Sequence, residues 1–451
     1  MMQLPTLFSE RMSQILGQEA SDFFEALNNA SPVSIRLNPH KQTPLPPFQN
    51  LIDTPVPWCN NAFYLKERPL FTLDPFLHGG VYYVQEASSM FLQTVLQQIT
   101  GHIPLRVLDL CAAPGGKSTL LAAKLPQGSL LVSNEVIKSR AVILKENMIK
   151  WGNDHTVITQ SDPQQFSSFT GAFDLILVDA PCSGEGMFRK DPKAIEEWSE
   201  NNLRLCEERQ KRILSDIWNA LAPGGYLIYS TCTYNPGENE KILEWLLTHY
   251  DATSIEIRHP FEKITKAKSS AHGYRFYPHH TRGEGFFIGV MQKNNGERFQ
   301  IKKEKRNNKN KEIGLPKEFN IYLRNPDLYY AYQKGDTIGI IPREHADFIQ
   351  QLSSKVDLLY KGCELGEVIK GKNKPTHALA LSPVLAKNNI RIQEVDLQTA
   401  IRYLKKEELR FEAPQGEWIL ISYLSTPLGW VKEVGNRINN YYPKEWRIRN
   451  F

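Results

Sequence analysis

The run Val107-Leu108-Asp109-Leu110-Cys111-Ala112-Ala113-Pro114-Gly115-Gly116-Lys117-Ser118 decides the fold. It reads as a short buried strand, a glycine-rich turn and the start of a helix. Val107, Leu108 and Leu110 suit a central parallel strand. Gly115 and Gly116 let the backbone come close to a ligand. The helix from Ser118 runs until Pro126 stops it. A strand feeding a helix in this way builds a ligand crevice at the carboxyl end of a parallel sheet. A Walker A loop would need glycine where Cys111 stands, and the fingerprint G-x-G-x-x-G is absent. S-adenosylmethionine is the remaining candidate. Its ribose hydroxyls call for a carboxylate after the next strand, and Glu135 follows Leu130 to Asn134 in that place. The turn also fits a plain strand–helix connection in any α/β protein.

The chain has 451 residues, enough for two to four domains, and a 41% hydrophobic content supports a full core. The net charge of +5, from 54 basic and 49 acidic residues, is too mild to establish nucleic-acid binding by itself. The six cysteines show no CxxC or Cys/His ligand spacing, so no metal is expected. No signal-peptide core and no run of membrane-span length is present, so no membrane partner is expected. The expectation is a cytoplasmic monomer with reduced thiols.

Working outward, the pattern alternates strand and helix from residue 105. Strands are expected at 106–110, 130–134, 156–159, 174–178 and 225–230, with a last one from Phe286. Helices fit 118–125, 138–150, 198–221 and 238–249. This is an α/β fold, a mostly parallel sheet with helices on both faces, and it sets one domain at 105–293. Residues 1–104 form a mixed α+β domain, with helical spacing from Phe8 to Leu27, a strand from Ser34 and a helix from Phe91 to Ile99. A basic linker covers 294–315, and its run at 302–312 has no apolar residue. A small α+β domain at 316–385 has strand-like runs at Thr337 to Ile341, Leu358 to Tyr360 and Ala378 to Leu381. A last unit, 386–451, pairs a helix at 396–404 with strands at 418–424 and 428–434. Its basic residues Lys432, Arg437, Lys444, Arg447 and Arg449 alternate with Asn, Tyr and Trp. That mixture suits RNA, cations for phosphates and rings for bases, and it equally suits the surface of an ordinary β-domain.

Two cysteines fall at strand ends. Asp179 and Cys182 follow the strand 174–178, and Cys232 follows the strand 225–230. In a doubly wound sheet those ends line one crevice, so two thiols and a carboxylate should converge beside a methyl donor. A free thiol is mostly protonated at neutral pH, and Lys117 is a suitable cation to ionise one.

Three motifs carry a family resemblance: Cys111 to Lys117, Asp179-Ala-Pro-Cys182-Ser-Gly184 and Ser230-Thr-Cys232-Thr233. With them the chain resembles the Sun/Nop family of RNA cytosine-5 methyltransferases, most closely its RsmF-type ribosomal RNA branch. The resemblance implies a Rossmann-like class I core that uses S-adenosylmethionine. It implies contacts to that cofactor from Cys111 to Lys117, Glu135, Arg140, Asp162 and Asp179. It also implies that Cys232 is the nucleophile and that Cys182 acts in product release. The chemistry explains why such residues are needed. Carbon-5 of cytosine is a poor nucleophile until a thiolate adds to carbon-6. An acid must then stabilise the charge pushed toward nitrogen-3, a role for Asp179, and a base must remove the carbon-5 proton. Gly283-Glu284-Gly285-Phe286-Phe287 departs from the usual Asp-Gly-Phe-Phe, a conservative change.

The resemblance reaches further. Ser34 to Asn38, with Arg36, and Gln85 to Met90 look like N-terminal RNA-facing motifs, and 386–451 looks like a β-rich PUA-like RNA-binding unit. The partner implied is ribosomal RNA or the small ribosomal subunit, with 16S rRNA as the substrate. Transfer RNA as substrate, or a ribosome-assembly factor without turnover, are the alternatives.

Overall fold

The computed structural model describes the chain except residues 1, 42, 45, 46, 302–312, 370, 371, 413, 436, 450 and 451. The linker run at 302–312 therefore lies outside the described residues.

The N-terminal domain begins with α1 (Thr6–Leu16) and α2 (Ala20–Asn28). Sequence spacing suggested one helix from Phe8 to Leu27. The break falls at Gly17, whose φ of +57° lies in the left-handed region where glycine alone is unstrained. Strands β1 (Val33–Leu37), β2 (Ile52–Pro55), β3 (Ala62–Leu65) and β4 (Tyr82–Val84) form a sheet in the order β2-β3-β1-β4. The short α3 (Pro75–His78) and then α4 (Leu92–Ile99) complete it.

The central domain follows as β5 (Arg106–Asp109), α5 (Gly116–Lys124), β6 (Leu130–Asn134), α6 (Lys138–Trp151) and β7 (Thr156–Thr159). Next come β8 (Phe173–Asp179), α7 (Pro192–Glu196), α8 (Glu200–Trp218), β9 (Leu221–Thr231) and α9 (Glu240–His249). The domain closes with β10 (Ala252–Ser254), β11 (Thr265–Lys266), β12 (Gly273–Phe276) and β13 (Phe286–Lys293). Strands β7-β6-β5-β8-β9 are parallel neighbours, and β13 and β12 extend the sheet antiparallel beyond β9. The parallel strands are apolar on both faces, as a sheet covered on both sides requires. The strand order reverses beside β5, so the crevice opens where the carboxyl ends of β5 and β8 diverge.

The next segment holds α10 (Lys317–Asn320), β14 (Tyr329–Lys334), β15 (Thr337–Pro342), α11 (Ala346–Ser353), β16 (Leu358–Lys361), β17 (Cys363–Ile369) and β18 (Lys372–Pro375). It is less separate than the boundaries 316–385 suggest. Strand β16 pairs antiparallel with β7 and so extends the central sheet. The run Ala378 to Leu381, which reads as a strand, is the short helix α12 (His377–Leu381), with Thr376 accepting from Leu379 N at its start. The C-terminal unit contains β19 (Arg391–Glu394), α13 (Leu397–Lys405), β20 (Trp418–Tyr423), β21 (Thr426–Val434) and β22 (Arg437–Asn440). Leu420 and Trp430 share one core with Phe319, Ile340 and Leu365, so the line at 385/386 cuts through a common core. No described helix is long and apolar enough to cross a membrane.

Candidate active site

The carboxyl ends of β5, β6 and β7 are tied together by Asn134. Its amide donates to Leu110 O (3.1 Å) and Ser161 O (2.9 Å), and its oxygen accepts from Thr159 Oγ1 (2.7 Å). The turn 111–116 rests on this platform, with Ala112 N donating to Asn134 O at 2.8 Å. Gly115 stands at the start of α5 with φ +115°, which bars a side chain there. Arg140 on α6 donates to Ala113 O (2.8 Å) and lies 3.4 Å from Glu135 Oε2. It thus joins the turn to the carboxylate after β6. Asn147 donates to Pro114 O at 2.8 Å.

Two buried carboxylates face this turn with an oxygen left over. Glu135 Oε1 accepts from Ile137 N at 3.0 Å, while its Oε2 makes no hydrogen bond. Asp109 Oδ2 accepts from Ser118 Oγ at 2.6 Å, while its Oδ1 makes none. Burial pushes the Asp109 carboxyl up to about 7, against the Ser118 hydrogen bond that lowers it. Asp109 Oδ1 is without a donor and Glu135 Oε2 has the Arg140 guanidinium at 3.4 Å, and buried acceptors so placed call for donors from a ligand. A nucleoside with vicinal hydroxyls supplies them at Glu135, so the crevice fits the adenosyl part of S-adenosylmethionine. Sequence reasoning found Glu135 and passed over Asp109 and Asn134, although Asp109 sits within the quoted run. The Cys111 thiol is half-buried in the same turn, and burial pushes it up. Asp162 lies past the end of β7, where it accepts from Gln164 N (3.0 Å) and is 3.6 Å from Arg212. Those are its partners, rather than groups of the turn.

The two thiols meet. Cys182 Sγ and Cys232 Sγ are 3.3 Å apart. Next to them Asp179 accepts from Ser230 Oγ (2.8 Å) and pairs with Lys117 Nζ at 2.7 Å. Burial lowers the Lys117 ammonium, but Asp179, and behind it Cys232 and Asp109, outweigh burial and raise it. The hydrogen bond to Cys232, followed by burial, holds the Cys182 thiol well above its ordinary range. Either sulfur could be the donor in that contact.

What brings the loops together is Glu238, which sequence reasoning did not single out. Its buried carboxylate accepts from Ser183 N (2.9 Å), Ser183 Oγ (2.6 Å) and Gln210 Nε2 (3.0 Å), while Ser183 Oγ also meets Thr233 Oγ1 at 2.8 Å. Burial pushes this carboxyl up, and the Ser183 hydrogen bonds lower it. Gly186 N donates to Cys232 O at 2.8 Å, and a Cβ on Gly186 would itself stand 2.8 Å from that oxygen. The cysteine loops are thus locked without using either sulfur.

Arg36 is not a surface contact. It is 1% exposed and donates to Gln85 Oε1 (2.9 Å), Gly116 O (3.2 Å) and Thr119 Oγ1 (2.6 Å), with Trp151 4.7 Å beneath the guanidinium. The expected RNA contact is therefore corrected: Arg36 clamps β1 to α5. Ser34, Gln85 and Ala87 to Met90 are buried, with Glu86 half-buried, and do not face outward as the motif suggests. In the tail, Arg437, Lys444, Arg447 and Arg449 are exposed, whereas Lys432 is half-buried with its ammonium 5.0 Å from the Trp418 ring. Tyr442 is spent on packing: its hydroxyl meets His78 Nδ1 at 2.9 Å.

Residues 96–292 match the family model of 16S rRNA methyltransferase RsmB/F, 4–87 that of the N-terminal domain of 16S rRNA methyltransferase RsmF, and 391–448 that of the methyltransferase RsmF PUA domain. The chain is 31% identical over 475 residues to ribosomal RNA small subunit methyltransferase F of Shewanella oneidensis, covering 99% of this chain and 97% of that one. It is 30% identical over 467 residues to the protein of the same name from Escherichia coli, covering 98% and 96%. Among solved structures, a methyltransferase homolog from Pyrococcus horikoshii aligns with a TM-score of 0.54 at 28% identity, over 64% of this chain and 95% of that one. NSun6 from Pyrococcus horikoshii, solved with SFG, shares the fold at a TM-score of 0.54 and 18% identity, over 65% and 99%. With three matched segments in order and near-complete coverage on both sides, this chain belongs to the RsmF family of 16S rRNA methyltransferases.

Proposed function

We propose that this chain methylates carbon-5 of a cytosine in small-subunit ribosomal RNA, using S-adenosylmethionine and a covalent Cys232–cytosine intermediate. The observation that carries the chemistry is the 3.3 Å approach of Cys182 Sγ to Cys232 Sγ beside the Lys117–Asp179 pair. The substrate class rests on the names of the relatives, which are small-subunit ribosomal RNA methyltransferases.

The Cys232 thiolate adds to carbon-6, and the ring electrons move toward nitrogen-3 and carbon-5. Asp179, coupled to Lys117, is the acidic partner on the nitrogen-3 side. When bound, S-adenosylmethionine supplies an electrophilic methyl group to carbon-5. Glu135 and Arg140 orient it through its ribose. The carbon-5 proton must then leave, its electron pair restoring the ring double bond as the carbon–sulfur bond breaks and Cys232 regains its charge. Cys182 assists that departure, directly or through water. The largest influence holding its proton is the Cys232 sulfur. Once that sulfur is bonded to carbon-6 it carries no charge, so Cys182 releases its own proton to water more readily, and its thiolate is then available to take the carbon-5 proton.

The 386–451 unit docks the RNA through the exposed Arg437, Lys444, Arg447 and Arg449, with Lys432 at the edge of that patch. The test is labelled S-adenosylmethionine with small subunits, free 16S rRNA and transfer RNA from a deletion strain, followed by bisulfite sequencing. Transfer to a cytosine in 16S rRNA is expected. Label only in transfer RNA, or none at all, would overturn the reading.

A further inference from the structure

We propose that Glu19, His279 and His280 form a binding site for a divalent transition-metal ion, with zinc the best fit. One ligand atom from each residue lies within 4.8 Å of the other two. His279 Nε2 and His280 Nε2 stand 3.5 and 3.3 Å from the same atom, Glu19 Oε2. Zinc bonds nitrogen and oxygen at about 2.0–2.1 Å, and a tetrahedron of that size sets its ligand atoms roughly 3.3 Å apart. The two nitrogen–oxygen distances already have that spacing, and the two nitrogens lie within 4.8 Å of each other. Two histidines and a glutamate with a fourth position open to solvent is also an established zinc donor set.

A second observation points the same way. The His279 side chain is 5% exposed, and neither of its ring nitrogens makes a hydrogen bond. A buried imidazole that makes no hydrogen bond and faces the Glu19 carboxylate at 3.5 Å is unusual. Next to it, His280 Nδ1 meets Thr265 Oγ1 at 3.2 Å. An Nδ1–H donated to that hydroxyl leaves the Nε2 lone pair for a metal, the arrangement that fixes a ligating histidine. The other such group among the described residues, His155, Glu344 and His345, differs on this point. There His345 Nε2, the nitrogen facing Glu344, donates to Gly128 O at 2.9 Å.

The site departs from the sequence expectation of no metal, which rested on cysteine spacing. Glu19 ends the turn between α1 and α2, whereas the histidines follow β12. An ion here would pin the N-terminal helix pair to the segment whose Tyr277 stacks on Tyr234, just past Cys232.

The experiment uses full-length protein without a histidine tag, stripped with chelator and titrated with Zn²⁺ and Co²⁺. It is run on the wild type and in a C182S/C232S background, so that thiol binding cannot stand in for the site. One equivalent of zinc is expected in both backgrounds, with a raised thermal midpoint. Co²⁺ should give the intense visible bands of a tetrahedral site, displaced by zinc. E19Q and H280Q, at solvent-accessible positions, should each weaken binding by at least about tenfold, while H155Q leaves it unchanged. No zinc bound in the C182S/C232S background, or equal affinity in E19Q, H280Q and wild type, would overturn the proposal.

Discussion

Cys182 Sγ and Cys232 Sγ stand 3.3 Å apart although 50 residues separate them in sequence. Neither sulfur is what holds them there. Ser183, beside one cysteine, and Thr233, beside the other, share a hydrogen bond of 2.8 Å, and Ser183 is fixed by the buried Glu238. A frame of this kind keeps both thiols placed while one of them changes its bonding during turnover.

The cofactor crevice gives the first test. Glu135 Oε2 is a buried acceptor without a hydrogen bond, and Arg140 holds it against the turn. Glu135→Ala should lose charge-assisted bonds to the ribose hydroxyls, worth about 1.5–3 kcal/mol, or roughly ten- to a hundredfold in S-adenosylmethionine affinity. Arg140→Ala should weaken binding less, because it orients the carboxylate without replacing it. Calorimetric titration measures both, and unchanged affinity in Glu135→Ala would remove that residue from the site.

Asp109 sets a pH dependence. Its folded-state value is raised to about 7 by burial, above the roughly 3.9 of an unfolded chain. The folded state therefore holds a proton that the unfolded state has released. The resulting stabilisation is fully present below about pH 4 and is lost as pH rises through about 7. Asp109→Asn, which mimics the protonated form, should flatten the fall in thermal midpoint between pH 5 and pH 8. An identical pH profile in both proteins would contradict this assignment.

Arg36 and the tail should separate cleanly. Neutralising Arg437, Lys444 and Arg447 together should weaken RNA binding and lower its salt slope by about one unit for each phosphate left without a cation. The thermal midpoint should stay near wild type. Arg36→Ala should do the reverse. It leaves Gln85 Oε1 and Thr119 Oγ1 without the Arg36 donor, at about 1–3 kcal/mol for each buried acceptor, while the Gly116 carbonyl still accepts from Thr119 Oγ1 and the salt slope is unchanged. Filter binding at several salt concentrations, beside thermal melts, reads both quantities.

These contrasts show what the sequence made legible. The parallel strands were readable because a sheet covered on both faces requires nearly continuous apolar runs, as in Leu175 to Val178 and, interrupted by Asp109, Val107 to Leu110. Ala378 to Leu381 misled for the same reason, since a four-residue apolar run has no period, and the cap at Thr376 decides for helix. The strand-like run Leu358 to Tyr360 was legible, but its pairing with β7 was not, because that partner lies far away in sequence. Arg36 looked like a surface cation. Its burial depends on acceptors from Gln85, Gly116 and Thr119 that only the folded chain assembles. Glu238 and the Glu19–His279–His280 group were hidden likewise, as their meaning lies in distant neighbours.

The central claim is that Cys232 attacks and Cys182 releases, and trapping of the covalent adduct tests it most directly. Each single mutant is incubated with S-adenosylmethionine and the RNA substrate, then run on a denaturing gel. Cys182→Ala should attack and methylate but stall before elimination, accumulating an RNA–protein band that survives denaturation. Cys232→Ala should form neither adduct nor product, and the double mutant should lose the band. An adduct from Cys232→Ala with none from Cys182→Ala would contradict the account.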